Sequence, residues 1–484
     1  MRIVRNFVNG EYVEPINAPS YDVYDPGKGS IIARVSPATR EEVNQAVDGS
    51  LEAQQKWARV PVTDRIKVLF KLENIMQEEM DEIAKVTTVE HGKTLRESKG
   101  DIVRAIQNIE AASGATYHSM GRSNRNISEE IDEELIRVPL GVFAVISPFN
   151  FPVMIPFWFV PYALSLGNGV VIKPSEKTPM SIEMIMGMLK KAGIPDGLVQ
   201  LVNGGGETVE YLIENSKVAG VSFVGSTGVA KMIYRNGTAN GKRVQAGASA
   251  KNYVLVMPDA DIENNVGNMT GSFFGNAGER CLAGSVLVVF RENHDRVLKS
   301  FSKATEDLKV GYGLEEGTDI GPLIRKGHLM KVKNHIDEAE KDGAKVILDG
   351  RKYRDEKYPE GFYLGPTIMD GVEIDANVNR EEIFGPVASV ITVNDFDQAI
   401  EVINGSKFGN ASTIYTRSGH YAREYVQRVN AGNIGINIGV AAPVAYYPFG
   451  GRKESFFGDL HPQGGEDHIL FFTDSKVVIS RWTK

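Results

Sequence analysis

The single cysteine of the 484-residue chain, Cys281, is a candidate nucleophile. It lies in "GNAGERC", between a turn rich in small residues and the strand-like run "AGSVLVVF". Glycines at such a turn leave room for a substrate, although a lone cysteine is more often a buried and inert side chain. A free thiol is only a few per cent ionised at pH 7, so a nucleophilic role needs positive charge or backbone N–H groups nearby. Arg280, directly before it, is a candidate source of that charge.

Three other motifs follow strand-like runs and carry groups that suit an oxyanion or a nucleotide. In "SPFNFP", the amide of Asn150 could donate to an oxyanion, although asparagine is also a routine turn residue. In "KPSE", Lys173 and Glu176 offer a donor and an acceptor for ribose hydroxyls at the end of a strand. In "FVGSTG", Gly225 and Ser226 open a helix, whose N-terminus attracts phosphate. Taken alone, each motif also has an ordinary explanation as a turn or loop, and for Asn150 that explanation is the better one.

The elements that must position these groups alternate between apolar strands and amphipathic helices. Ile182, Ile185 and Leu189, for example, follow helical spacing after the strand-like run "GVVIK". Such alternation is typical of parallel sheets covered by helices on both faces, and a second series of units fills the C-terminal half. The charged stretch 123–139 and the tail "HILFFTDSKVVISRW" are both strand-like, and we expect them to form one small extra element.

Composition limits the class of protein. The net charge is −8, which does not favour binding to nucleic acid or to a membrane surface. One cysteine allows no intrachain disulfide and no cysteine-type zinc cluster, and the eight histidines lack ligand spacing, so no metal site is expected. The N-terminus lacks the apolar core of a secretion signal, and no run is long enough to span a membrane. The expected location is the cytoplasm.

Six motifs in order resemble the series found in the aldehyde dehydrogenase superfamily: "SPFNFP", "KPSE", "FVGSTG", "GNAGERC", "REEIFGPV" and "PFGGRKES". The resemblance implies an α/β fold with two parallel-sheet domains and a small β module that builds dimers and tetramers. The corresponding ranges are 1–122 and 140–249 for the NAD-binding domain, 250–463 for the catalytic domain, and 123–139 with 464–484 for the oligomerisation strands.

The resemblance also implies roles for single residues. Cys281 matches the nucleophile, and Asn150 with the Cys281 backbone N–H matches the oxyanion hole. Glu382 matches the residue that binds the nicotinamide ribose. Glu176 favours NAD because it would repel the 2′-phosphate of NADP. The full set expected at the cofactor is Phe149, Lys173, Glu176, Gly225, Ser226, Glu382 and Phe384.

One position departs from most of the superfamily. Where a glutamate usually activates the water that hydrolyses the thioester, this chain has Gly247, in "GASAK". Attack by water without a base would be slower by roughly 10²–10⁴-fold, whereas a thiol needs less help. This change, with "KRVQAGASAKN", "MPDADIEN" and "SFFGDLHPQG", resembles the methylmalonate-semialdehyde dehydrogenase branch, which transfers its acyl group to coenzyme A.

That branch acts on malonate or methylmalonate semialdehyde and binds the substrate carboxylate with two arginines, which match Arg104 and Arg280. Without the resemblance, Arg104 is better explained as a helix-surface arginine. The predicted reaction is NAD-dependent oxidation through a Cys281 thioester, transfer to coenzyme A and loss of CO₂, giving acetyl- or propionyl-CoA, in a homotetramer. Two alternatives stay open: a hydrolytic NAD(P)-dependent aldehyde dehydrogenase that uses another carboxylate as base, and a non-catalytic protein that keeps the fold.

Overall fold

Two large and mostly parallel β-sheets form the framework of the computed structural model, which describes residues 2–482. The first sheet has eight strands, in the spatial order Phe456–Phe457, Arg243–Gly247, Val218–Val224, Val142–Ile146, Gly169–Lys173, Val199–Leu201, Asn6–Val8 and Glu11–Val13. The five strands from Arg243–Gly247 to Val199–Leu201 are parallel, and the strand that comes first along the chain lies in their middle. The direction of winding therefore reverses beside Val142–Ile146, as in doubly wound nucleotide-binding sheets.

The second sheet has seven strands, of which six are parallel. Their spatial order is Lys345–Leu348, Thr367–Asp370, Val387–Val393, Gly284–Phe290, Asn252–Val256, Ala411–Tyr415 and Asn433–Ile436. Central strands of both sheets, such as Val142–Ile146 and Asn252–Val256, are buried along their whole length. This explains their unbroken apolar sequences, because helices cover both faces.

Helices lie between these strands along the chain, singly or in runs. Before residue 250 they are Arg40–Trp57, Val62–Glu78, Met80–His91, Leu95–Ala112, Ala115–His118, Met154–Phe157, Val160–Ser165, Met180–Ala192, Gly206–Glu214 and Thr227–Ala239. After it they are Ile262–Phe274, His294–Glu306, Lys326–Lys341, Asn377–Arg380, Phe396–Gly405, Gly419–Arg428 and Asp467–Phe472, with 3₁₀ turns at Gly275–Gly278 and Gly350–Lys352. Among the helices of residues 2–482, none is long and apolar enough to cross a membrane.

The helix predicted around Ile182 is confirmed as Met180–Ala192, with Ile182, Ile185 and Leu189 buried. Its N-terminus is bound by Glu90, whose carboxylate oxygens accept from the Met180 and Ser181 N–H groups at 2.7 and 2.9 Å. The buried side chain of Glu90, from a helix distant in sequence, thus replaces a local capping residue.

Three smaller sheets complete the fold. One joins Arg2–Val4, Ser30–Val35 and Tyr21–Asp25, and another pairs Phe408–Gly409 with Arg452–Lys453. The third contains Thr473–Arg481, Ile131–Pro139 and Arg122–Ser128, all antiparallel.

The tail is only partly a strand. Residues 467–472 are helical, so the prediction of a strand over the whole tail was wrong there. The helix buries Ile469, Phe471 and Phe472, and the Phe472 ring lies 4.7 Å from the Phe143 ring, centroid to centroid. Packing against the first sheet thus overrides the strand-like composition. Of the predicted ranges, Met1, Thr483 and Lys484 lie outside the described residues.

Candidate active site

The turn that leads into Cys281 has a left-handed backbone. Asn276, Ala277 and Gly278 have φ values of 54°, 52° and 71°. Non-glycine residues in this region cost on the order of 1–3 kcal/mol each and persist where the surrounding structure holds them. A Cβ on Gly278 would lie 2.1 Å from the carbonyl oxygen of Gly385, so a glycine is needed for the close approach as well as for its φ.

Cys281 lies where two cavities meet. The larger has a volume of about 620 Å³ and the smaller about 410 Å³, and within residues 2–482 Cys281 is the one residue that lines both. A nucleophile in this position can face a cofactor on one side and a substrate on the other.

The larger cavity brings together every residue that the sequence predicted at a cofactor. It opens at the carboxyl ends of the central strands of the first sheet, next to the point where the winding reverses, which is where such sheets bind ligands. The predicted residues that line it are Phe149, Asn150, Lys173, Glu176, Gly225, Ser226, Cys281, Glu382 and Phe384.

At one end of this cavity the polar groups suit ribose and phosphate. Lys173 Nζ donates to the carbonyl oxygen of Gly204 at 3.1 Å, and the Glu176 carboxylate lies 3.5 Å from the Arg325 guanidinium. Ser226 is the N-cap residue of helix Thr227–Ala239, and its hydroxyl makes no capping hydrogen bond, so a phosphate could take that place. Arg325 was not predicted at this site because it lies outside the six motifs.

At the other end, two loops hold aromatic and acidic groups beside Cys281. The rings of Phe149 and Phe384 meet edge to face with centroids 5.9 Å apart. Glu382 Oε1 accepts from the Ala250 N–H at 2.8 Å, which fixes its carboxylate. A flat ring could lie beside these aromatic side chains, so the residues present fit a nicotinamide nucleotide.

Asn150 and the peptide group of Cys281 are held by buried amides and a buried lysine. Asn150 Nδ2 donates to the carbonyl oxygen of Glu279 at 3.0 Å, and the Asn150 carbonyl accepts from Lys93 Nζ at 2.6 Å. The Cys281 carbonyl accepts from Nδ2 of Asn252 at 2.8 Å and of Asn410 at 2.9 Å. Lys93 and Asn410 were not predicted at this site because neither lies in one of the six motifs.

The surroundings of the Cys281 thiol favour its protonated form. Burial, followed by the charge of Glu382, raises the pKa of Cys281 to about 12. Arg280, the candidate source of positive charge, binds the carboxylate of Glu97 at 2.9 Å and the carbonyl oxygen of Gly271 at 3.3 Å instead. Formation of the thiolate therefore needs a change in the surroundings of the thiol.

The smaller cavity combines an apolar wall with two arginines. Arg104 and Arg280 both line it, as does Glu97. Arg104 is half-buried on helix Leu95–Ala112 and donates to the amide oxygen of Gln107 at 3.1 Å, so it is not a simple surface residue. Apolar side chains of the wall include Phe151, Met154, Trp158, Leu282, Val440 and Phe449. This arrangement suits a small molecule with an apolar stem and an anionic end.

A sequence profile described as the aldehyde dehydrogenase family matches residues 12–478. This chain belongs to the aldehyde dehydrogenase family. It is therefore an oxidoreductase that acts on aldehydes, and the predicted fold class and family are confirmed.

Relatives within the family have names that agree with the branch predicted from the sequence. A malonate-semialdehyde dehydrogenase of Bacillus cytotoxicus is 43% identical over 479 residues, which is 99% of this chain and 98% of the relative. The crystal structure of a methylmalonate-semialdehyde dehydrogenase from Oceanimonas doudoroffii matches with a TM-score of 0.98 and 39% identity, over 100% of this chain and 99% of that one. A Sinorhizobium meliloti protein assigned the same activity and solved in complex with NAD matches with a TM-score of 0.99 and 35% identity, over 100% and 99% of the two chains.

Gly247 of this aldehyde dehydrogenase is not required by packing. It ends strand Arg243–Gly247, and its φ lies outside the left-handed region. A Cβ added here would have Val224 Cγ2 as its nearest neighbour, at 3.4 Å, which is an ordinary contact. The backbone would therefore accept a side chain at this position. The missing carboxylate is a chemical difference rather than a consequence of the fold.

Three carboxylates that line the two cavities already have partners. In the smaller cavity, Glu97 binds Arg280 and Asp101 binds Lys93. In the larger one, Glu382 accepts from the Ala250 N–H. These contacts make Glu97, Asp101 and Glu382 less available as a base toward water.

Glu279, two residues before Cys281, is a buried carboxylate that was not among the predicted site residues. Its Oε1 accepts from the Ile324 N–H at 3.4 Å and lies 3.6 Å from His328 Nε2, and its side chain is fully excluded from solvent. His328 Nε2 lies 2.7 Å from the Phe384 carbonyl oxygen. Burial raises the pKa of Glu279 to about 8. This group links the nucleophile turn to the loop that carries Glu382 and Phe384.

Proposed function

We propose that this aldehyde dehydrogenase oxidises malonate or methylmalonate semialdehyde with NAD and passes the acyl group from Cys281 to coenzyme A. One observation carries the proposal. Cys281 separates a cavity that fits a nicotinamide nucleotide from a pocket that holds Arg104 and Arg280. The names of the relatives support the same substrates.

In the proposed mechanism, the Cys281 thiolate adds to the aldehyde carbon. The oxyanion that forms accepts from Asn150 Nδ2 and from the Cys281 backbone N–H, which stabilise charge that develops in the transition state. Lys173, Glu176 and the Ser226 helix N-terminus would hold NAD, which would supply the hydride acceptor and a positively charged ring on the cofactor side of Cys281. Cys281 then holds the acyl group as a thioester.

The arginines would bind the carboxylate of the substrate. A guanidinium binds a carboxylate through two parallel hydrogen bonds, which also orient the aldehyde. The apolar side chains of the pocket exclude water and so strengthen these bonds. An uncharged aldehyde would leave the cations without a partner.

The absence of a base at Gly247 supports release of the acyl group by coenzyme A. The thiol of coenzyme A attacks the thioester carbon, the bond from that carbon to the Cys281 sulfur breaks, and the proton of the attacking thiol passes to that sulfur. The β-carboxylate leaves as CO₂, its bonding electron pair remains on the neighbouring carbon, and that carbon takes up a proton. The products are acetyl-CoA or propionyl-CoA.

The remaining assignments follow the same family pattern. We propose 1–122 and 140–249 as the NAD-binding domain, 250–463 as the catalytic domain, and 123–139 with 464–484 as the oligomerisation strands of a homotetramer. NAD is favoured over NADP because the Glu176 carboxylate would repel a 2′-phosphate, although its contact with Arg325 weakens that repulsion. The cytoplasmic location stays a prediction from the sequence.

A single-turnover assay tests the proposed reaction. Without coenzyme A, malonate semialdehyde should produce a burst of one NADH per active site, and addition of coenzyme A should start steady turnover. Methylmalonate semialdehyde should behave in the same way, and propionaldehyde should react much more slowly. Cys281→Ala should abolish the burst. Equal steady rates with and without coenzyme A would instead establish the hydrolytic alternative.

A further inference from the structure

A buried ion pair lies beneath the turn that carries Asn150. The side chains of Lys93 and Asp101 are fully excluded from solvent, and their Nζ and Oδ2 atoms are 3.3 Å apart. Lys93 directly follows Gly92, whose left-handed backbone ends helix Met80–His91. Taking two charges out of water is costly unless their hydrogen bonds are well made, so the bonds of this pair indicate what it holds.

Both charged groups bind the same turn, one at each end. Lys93 Nζ donates to the Asn150 carbonyl oxygen at 2.6 Å and lies 4.1 Å from the centroid of the Phe151 ring. Asp101 Oδ1 accepts from the Met154 N–H at 2.6 Å. The pair therefore fixes the peptide groups at both ends of the segment 150–154.

The fixed backbone determines where the amide of Asn150 points. Its Nδ2 donates to the carbonyl oxygen of Glu279 at 3.0 Å, two residues before Cys281. Hydrogen bonds from an ionised donor are shorter and stronger than neutral ones, so Lys93 resists rotation of this turn more than a neutral residue would.

Each member of the pair stabilises the charge of the other. Burial lowers the pKa of Lys93, and the neighbouring Asp101 and Glu97 oppose that effect, while Arg280 adds to it. Burial raises the pKa of Asp101, and the charge of Lys93 opposes it. Removal of one partner would leave the other buried without a counter-charge, which would loosen the turn.

We propose that Lys93 and Asp101 are positioning residues for aldehyde oxidation, which act on the reaction through the amide of Asn150. The inference rests on the oxyanion role proposed above for Asn150. A donor stabilises an oxyanion only when it lies about 3 Å from the oxygen, and a displacement of about 1 Å can slow a reaction by roughly 10²-fold.

A double-mutant cycle with Lys93→Met and Asn150→Ala tests this inference. The measured quantity is the rate constant of the NADH burst, at saturating aldehyde and NAD and without coenzyme A. Asn150→Ala should slow the burst by roughly 10²–10³-fold, and Lys93→Met by roughly 10–10²-fold. The double variant should be no slower than Asn150→Ala within about threefold, because a positioning residue has nothing left to position. Independent losses that multiply would overturn the inference.

Lys242 provides a matched control. It is also buried, and its Nζ donates to the carbonyl oxygens of Asn215 at 2.6 Å and Val218 at 2.8 Å, outside both cavities. Lys242→Met should lower the melting temperature but keep the burst rate within about twofold. A burst as slow as that of Lys93→Met would show that loss of stability alone explains the effect, and would overturn the inference.

Two further measurements separate the possible causes. Alkylation of Cys281 by iodoacetamide should proceed at the wild-type rate in Lys93→Met, because Lys93 acts through the amide and not on the thiol.

If Lys93→Met does not fold, Asp101→Asn keeps the acceptor for the Met154 N–H and should show the same non-additivity with Asn150→Ala. An unchanged burst in Asn150→Ala would overturn the oxyanion role and this inference together. A slow burst in Asn150→Ala with a wild-type rate in Lys93→Met would overturn this inference alone.

Discussion

Arg104 and Arg280 line the same pocket but differ in the positive charge that each offers a substrate. Arg280 forms an ion pair with Glu97 at 2.9 Å, whereas Arg104 donates to the neutral amide of Gln107. Because Glu97 already binds Arg280, a substrate carboxylate would gain less binding free energy from Arg280 than from an unpaired arginine. At the scale of single residues, we therefore expect Arg104 to contribute more than Arg280 to binding of an anionic aldehyde.

Replacement of Arg104 should separate anionic from neutral substrates. Arg104→Gln should raise KM for malonate semialdehyde by about 10–100-fold, since a hydrogen bond to a charged group is worth about 1.5–3 kcal/mol. KM for propionaldehyde should change by less than about threefold. Equal effects on both substrates would show that Arg104 does not bind the carboxylate.

Glu97→Gln is the complementary variant. It removes the charge that neutralises Arg280 but preserves the capping box with Thr94, in which glutamine can replace glutamate. KM for malonate semialdehyde should fall by a few fold while KM for propionaldehyde stays constant. A rise in both KM values would mean that Glu97 only orients Arg280.

Glu279 should make stability depend on pH. Its pKa is raised to about 8 from the ordinary value of 4.5, mainly by burial and against the opposing charges of Lys177 and Lys93. Between these two pH values the unfolded chain loses the proton while the native state keeps it, so the free energy of unfolding falls as pH rises through this window. Glu279→Gln should therefore raise the melting temperature at pH 8.5 and leave it nearly unchanged at pH 4.5. A pH-independent difference would contradict this explanation.

The nucleophile turn is the element on which both cavities depend. Its three left-handed residues end helix Ile262–Phe274 abruptly and aim the chain at Cys281. Gly278 packs against the carbonyl of Gly385, which belongs to the loop that carries Glu382. The position of the thiol and that of the cofactor loop are therefore coupled through backbone contacts.

Gly278→Ala should disrupt this coupling. The added Cβ has no space beside the Gly385 carbonyl and is strained at φ 71°, so we expect a loss of at least about 2 kcal/mol in stability and a slower NADH burst. Gly267→Ala is the matched control, because Gly267 lies exposed in helix Ile262–Phe274 with open space around its Cα. That variant should gain up to about 1 kcal/mol and keep its burst. Unfolding by denaturant measures the stability, and stopped-flow fluorescence measures the rate of the NADH burst.

The small antiparallel sheet of Thr473–Arg481, Ile131–Pro139 and Arg122–Ser128 presents an apolar surface to solvent. Val477 and Ile479 of strand Thr473–Arg481 point to the same face and are 57% and 66% exposed, and Leu135, which pairs with Val477 on the neighbouring strand, lies on that face as well. Contiguous exposed apolar side chains on a sheet with open edges mark an interaction site. This surface supports the proposed assembly into a homotetramer.

Charges introduced on this surface should weaken the assembly. The double variant Val477→Glu/Ile479→Glu should show a lower mass in light scattering coupled to size-exclusion chromatography, with an unchanged circular dichroism spectrum. Phe70→Glu, at a residue that is 48% exposed on helix Val62–Glu78, should leave the mass unchanged. A wild-type mass in the double variant would place the interface elsewhere.

Much of the architecture could be predicted because local chemistry repeats along the chain. Apolar strands that end in polar turns place Asn150, Lys173 and Gly225 at one edge of a parallel sheet, and the structure does place them around one cavity. The secondary structure of the tail was harder to predict, because "HILFF" is apolar enough for a strand. In the structure this segment is a helix that packs against Phe143.

Strand ends and turns in the sequence, whose geometry is local, were enough to predict an α/β fold and to place Asn150, Lys173 and Gly225 near a ligand. The family, and with it Glu382 and Phe384 at the cofactor, was predicted from the resemblance of the six motifs. Only the tertiary structure decided that Arg280 binds Glu97, that Arg325 reaches Glu176, and that burial raises the pKa of the thiol. The first two contacts join residues that are more than a hundred positions apart, and burial is a property of the packed chain, so no local pattern could contain them.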